Sequence, residues 1–186
     1  GCRMDRGDMG DMDVRRWARR GGARQWRRQE TFRFEGILVA GHSEVDLDSS
    51  SEGLGRESYV FGREARGEAL QSCHFTDQWR IRVEGMLVHA ESLSLTEEIG
   101  AALAASAGAA GAQMSATLVY VGPRLEQMRA DISAVLPSLA SRVAVSCWQG
   151  RLVLRLLAAE TMAGKADLSR IIGSIRGQHV PRVWQT

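Results

Sequence analysis

A chain of 186 residues, 44% hydrophobic and 25% charged, is long enough to bury its own core and lies near the average of globular domains, which excludes disordered, collagen-like and disulfide-rich classes. The formal net charge of +2 conceals an asymmetry: residues 1–28 carry nine Arg against four Asp, leaving 15 basic and 18 acidic residues for the remainder. A basic leader therefore precedes a mildly acidic body.

Residues 1–24 contain five Gly and no helical or strand period, so they are expected to form a disordered basic leader outside the fold, ahead of one domain over residues 25–186. Such an arm can pair with phosphates or with an acidic partner, which gives one functional alternative, a nucleic-acid-binding α+β module built on the Arg-rich N-terminal arm. No stretch reaches the roughly 18 uncharged apolar residues of a membrane span, and the first residues hold no apolar signal core. The three cysteines, Cys2, Cys73 and Cys147, are odd in number and widely spaced. They point to reduced thiols and a cytoplasmic protein with no membrane partner.

From Gln29 the chain alternates: Phe32 and Phe34 face one way, Thr31 and Arg33 the other, and residues 37–40 form an apolar run after a turn at Glu35-Gly36. Val45 and Leu47 predict a short second strand, residues 48–55 an exposed loop, and Tyr59 the start of another strand. Trp79, Ile81 and Val83 alternate with polar neighbours, and Glu84-Gly85 then turns the chain back as a hairpin over residues 86–90. Up to residue 92 the pattern is one of successive short antiparallel strands.

Thr96 is placed to cap a short helix with Glu97 and Glu98 in its first turn. Residues 115–121 form a strand, and Gly122-Pro123 opens a helix with Pro at its first position. Leu125, Met128, Ile132, Val135, Leu136 and Leu139 share one face of that helix. Residues 142–148 and 151–157 are strands around a Gln149-Gly150 turn, and a last helix carries Leu168, Ile171, Ile172 and Ile175 before Gly177 ends it. The predicted fold is mainly β with a C-terminal α+β region: layered antiparallel strands with about two to three helices.

Enzyme signatures are absent: no phosphate-binding loop, nucleophile elbow or H-E-x-x-H pair occurs. Cys147 lies inside an apolar strand, as a core thiol rather than a nucleophile. His42, His74, His89, His179 and the cysteines show no zinc-type spacing, and adjacent Cys73 and His74 point to opposite faces of a strand. Glu57, Arg63, Arg66 and Glu68 form a mixed-charge cluster, and Trp184 is expected to dock back on the body.

Three stretches carry a resemblance. Gln29-Glu30-Thr31 with Phe34-Glu35-Gly36 resembles the P-Q-E-T-x-x-F-D-G segment of the UreD (UreH) urease accessory family, with Arg28 at the proline position. Residues 61–68 resemble its L-G-R-x-A-R-G-E, and residues 181–184 its P-R-[IV]-W. The resemblance covers about residues 23–186 and implies an N-terminally truncated member, the leader standing in place of the family's N-terminal strands. It further implies a non-catalytic chaperone of urease maturation that binds urease apoprotein with UreF and the GTPase UreG. The resemblance implies no permanently bound cofactor, with Ni2+ passing transiently through a water-filled passage. Residue by residue, Glu30 and Glu68 match acidic family positions, and Glu57 a frequent one. These three are candidates for lining the nickel path, with Arg63, Arg66, Arg182 and Trp184 in structural or interaction roles.

Overall fold

The computed structural model describes residues 10–17, 23–27, 31–32, 38–61, 74–95, 99–106 and 108–176. In chain order its elements are β1 (Gly10–Trp17), β2 (Ala23–Arg27), β3 (Thr31–Phe32), β4 (Leu38–Leu47), β5 (Glu52–Val60), β6 (His74–Val83) and β7 (Met86–Leu95). Helix α1 (Ile99–Ala104), β8 (Met114–Val121), α2 (Leu125–Val135), β9 (Arg142–Trp148), β10 (Arg151–Ala158) and α3 (Thr161–Arg176) follow. The fold is mainly β with helices toward the C-terminus, as the residue pattern predicts.

The chain divides into two compact units. The first comprises Gly1–Arg24, Phe32–Glu52 and Phe61–Ala110, with a four-stranded sheet in the order β1-β4-β6-β7. Its β6–β7 hairpin is the predicted one. Glu84 and Gly85 both have positive φ (50° and 77°), the conformation a two-residue hairpin turn needs to match the twist of its strands. Trp79 and Ile81 alternate inward and meet Ser43 and Val45 of β4 in register.

Three expectations change here. Residues 1–24 have no side-chain period, yet Gly10–Trp17 is a strand paired with β4 and not part of a disordered leader. Backbone pairing places this polar segment where side-chain periodicity could not. The pairs β1–β4 and β4–β6 are parallel, whereas β6–β7 is antiparallel. Parallel neighbours require a long crossover, and the chain between β4 and β6 supplies it by contributing β5 to the other sheet. Third, Leu38–Leu47 is one continuous strand rather than two.

The second unit comprises Gln25–Thr31, Gly53–Val60 and Gly111–Thr186, with the sheet order β2-β5-β8-β10-β9 and β3 beside β5. The predicted loop over residues 48–55 shrinks to a tight turn. Asp48 binds Ser50 and Ser51, and the strand resumes at Glu52, with Gly53 and Gly55 buried opposite Val121 and Val119. Residues without a side chain suit a strand covered on both faces, which is why composition alone mimics a loop there.

Helices α2 and α3 cover one face of β8, β10 and β9. Met128 and Ile132 from α2, with Leu168, Ile171 and Ile175 from α3, pack on Leu118, Tyr120, Leu152, Leu154 and Leu156. Each such fully buried side chain contributes roughly 1.5–3 kcal/mol relative to exposure. Helix α2 begins at Leu125, two residues after Pro123, because the Tyr120 hydroxyl accepts the Arg124 N–H at 3.0 Å and Arg124 stands at the cap. Pro137, lacking a donor, tightens the helix end into a 3-10 turn at Leu136–Ser138. The Gln149-Gly150 hairpin repeats the positive-φ pair (47° and 76°) of the first unit.

Candidate functional site

Of the site residues assigned through the resemblance, Glu57 lies within the described structure. It sits on β5 with 4% exposure and is followed by buried Ser58 and Tyr59. Its register partner on β8 is Thr117, which faces Arg155 of β10 on its other side. Glu57, Thr117 and Arg155 therefore form one row across three strands, on the sheet face opposite the helices. At normal strand spacing Arg155 is two strands, roughly 9–10 Å, from Glu57. Extended Arg and Glu side chains can span that backbone separation, so the row sets a guanidinium on the same face as the carboxylate. Glu30, Arg63, Arg66, Glu68, Arg182 and Trp184 lie outside the described residues, as do Cys2, Cys73, Thr96, His179 and Gly177.

The first unit holds a polar stripe around His89 that no motif marks. Asp77 is 2% exposed and His89 5%, both pointing to the same sheet face as Trp79 and Ile81. Register puts His89 opposite Ile81 and Glu91 opposite Trp79, and His89 Nε2 lies 3.5 Å from Glu91 Oε2. The period-2 alternation that placed Trp79 and Ile81 on one face extends to Asp77 two residues earlier; that spacing was the available signal.

On the opposite face of β4, His42 Nε2 lies 3.3 Å from Glu44 Oε1, and Arg82 Nη1 lies 3.5 Å from the same oxygen. The hydrogen bond from His42 is the main influence that holds the Glu44 carboxyl below its ordinary pKa, with help from Arg82 against a modest burial penalty.

Among the described residues, no three His, Cys, Asp or Glu side chains come close enough to share a metal ion. What the fold offers is pairs: a buried imidazole beside a carboxylate, and single buried acids. Pairs of borderline and hard ligands hold a divalent cation weakly. Cys147 is partly buried against the helix-covered core, and burial pushes its thiol pKa up, which suits packing and not nucleophilic attack. No helix among the described residues is long and apolar enough to cross a membrane.

Comparison with known proteins matches residues 3–185 to the model of the family described as UreD urease accessory protein. A urease accessory protein UreD of Rhizobium johnstonii is 44% identical over 162 residues, covering 86% of this chain and 58% of the relative. The Xanthobacter autotrophicus UreD is 35% identical over 176 residues, 95% of this chain and 61% of the relative. The Agrobacterium fabrum UreD is 40% identical over 165 residues, 88% and 57% respectively. The chain thus spans about three-fifths of the length of these relatives. The family match begins at residue 3, so it runs through the segment read from sequence as an extraneous leader.

Proposed function

The chain belongs to the UreD urease accessory protein family, and on that premise we propose that it is a non-catalytic scaffold of urease maturation. In this reading it binds urease apoprotein together with UreF and the GTPase UreG, and assists insertion of nickel into the urease active site. Nickel is cargo and not a resident cofactor. The work takes place in the cytoplasm, where thiols such as that of Cys147 stay reduced.

The observation that carries the reading is the family match over residues 3–185. The buried groups support it by their chemistry. Glu57 in one unit, and Asp77 and the His89–Glu91 pair in the other, offer carboxylate oxygen and imidazole nitrogen, the donors a borderline dication accepts. Ligands in ones and twos retain an ion too weakly to trap it, and delivery requires release.

The test is co-expression of the full chain with UreF, UreG and urease apoprotein, reading the nickel content and activity of the purified urease. Nickel loading should rise with the chain present, and the chain should co-purify with the apoprotein. Equal loading in its absence sinks the proposal.

A further inference from the structure

Glu57 is buried on β5 with Thr117 of β8 and Arg155 of β10 beside it in one row, on the sheet face away from α2 and α3. Along the described strands β5, β8, β10 and β9, that face carries one acid, Glu57, and three cations, Arg142, Arg151 and Arg155. The Arg151 guanidinium, at the start of β10, lies 4.3 Å over the Trp148 ring, and Arg142 belongs to β9, a further strand from Glu57. Arg155 is therefore the cation of this face that stands in the carboxylate's own row. The two differ in burial: Glu57 is shut away from water, whereas Arg155 is exposed. Neither side chain is free in the fold, so a metal ion that reaches Glu57 has to displace what the carboxylate already holds.

We propose that Arg155 is a positioning residue for Glu57: on the reading that Glu57 passes nickel, the guanidinium is the displaceable counter-ion that holds the carboxylate between ions and competes with each incoming divalent cation for it. A buried charge left alone is costly, so the carboxylate needs a positive partner whenever no metal ion is there. An ion pair with one end in water is weak and screened. The guanidinium can swing out to solvent on its long apolar stem as the dication enters, and Glu57 cannot follow. Arginine stays charged at any working pH, so the same cation returns when nickel leaves. Thr117 between them is uncharged, and no other group of the row competes. Competition of this kind lowers the affinity of the stop, which is what delivery requires.

Other roles fit less well. A pair that served the framework alone would have both ends out of water, where breaking it is expensive. A surface arginine without a task would be indifferent to what Glu57 binds.

The experiment measures Ni2+ binding to the full chain by equilibrium dialysis at about pH 8, where an ordinary carboxylate is ionised with or without a cation beside it. The parent is compared with Glu57→Gln, Arg155→Gln, Arg155→Lys and the Glu57→Gln/Arg155→Gln double variant. Arg155→Gln should bind nickel about fivefold tighter or more, the low end of coupling between two sites, and should pass less of it to urease apoprotein on co-expression with UreF and UreG. Arg155→Lys should stay near the parent, because the charge is kept. The double variant should bind no tighter than Glu57→Gln alone, since the gain works through that carboxylate. Weaker binding in Glu57→Gln together with parental or weaker binding in Arg155→Gln overturns the counter-ion role and leaves the path standing. Parental binding in Glu57→Gln overturns both, because Glu57 is then no stop on the path. Tightening by Arg155→Gln that persists in the double variant, or loss of the folded chain in Arg155→Gln, also overturns the proposal, the latter by assigning the arginine to the framework.

Discussion

Asp167 on α3 holds Ser141 at two points: the same carboxylate oxygen accepts the Ser141 backbone N–H at 2.8 Å and its hydroxyl at 2.7 Å. It also accepts the Ala140 N–H at 2.9 Å, so one acid ties the last helix to the start of β9. Arg170, 3.9 Å from the other oxygen and mostly exposed, adds little. Asp167→Ala strands these donors in a part-buried site and should cost about 2–4 kcal/mol, read as a lower urea midpoint. Asp167→Asn should fall between, because its amide oxygen still accepts. An alanine variant within about 0.5 kcal/mol of the parent would mean that water takes over the role.

Two glycines of α3 predict opposite signs. A Cβ at Gly164 would lie 2.7 Å from Ala158 Cβ and 2.7 Å from Met114 Sδ, whereas one at Gly173 meets nothing within 4 Å. Ala158 Cβ is fixed to its strand and cannot yield. Gly164→Ala should therefore destabilise by about 1–3 kcal/mol despite alanine's helix preference. Gly173→Ala should stabilise by about 0.5–1 kcal/mol. Denaturant unfolding of both variants checks the pair, and a stabilising Gly164→Ala would refute the close approach of α3 to β8 and β10.

Legibility in the sequence followed the range of the forces involved. Both hairpins were legible because Glu84-Gly85 and Gln149-Gly150 are local turn chemistry, and the stripe of α3 because Leu168, Ile171 and Ile175 obey one period. The parallel pairing of β4 with β6 was not, since it depends on where β5 goes rather than on any residue of β4. Gly53 and Gly55 misled in the other direction: they resemble a loop and occupy a buried strand. At the candidate site, Glu57 is legible through a family motif and His89 as a metal-ligand candidate without a metal-type spacing, while Asp77 is not legible because no motif marks it. The significance of Asp77 and His89 comes from burial, a property of the folded sheet.

Asp48 makes the turn between β4 and β5 acid-sensitive. Burial opposes its ionisation, but hydrogen bonds from Ser51 and Ser50 outweigh that penalty and leave its pKa below the ordinary value. A lowered folded-state pKa gives stability that is fully present above the unfolded pKa and lost as pH falls through the folded one. Asp48→Asn should therefore differ from the parent near neutrality, with the gap beginning to close as pH falls below about 4 and closing fully only below the lowered folded pKa. Melting temperatures across the range from about pH 3 to pH 7 test this. A gap that stays constant with pH would show that the charge is not what holds the turn.

The nickel-path assignment rests on Glu30, Glu57 and Glu68, of which Glu57 has a described position: a buried carboxylate in one row with Thr117 and Arg155. If Glu57 passes the cation, Glu57→Gln keeps its size and removes the charge that attracts nickel. Nickel loading of urease should then drop severalfold while the melting temperature of the chain and the yield of its complex stay unchanged. Glu30→Gln and Glu68→Gln should behave likewise. A structural acid behaves otherwise, because breaking a buried ion pair costs about 3–5 kcal/mol and stability or assembly fails first. Urease nickel content measured beside complex yield separates the two. Normal loading in all three variants removes these residues from the path, and loss of loading only together with the complex assigns them to the framework.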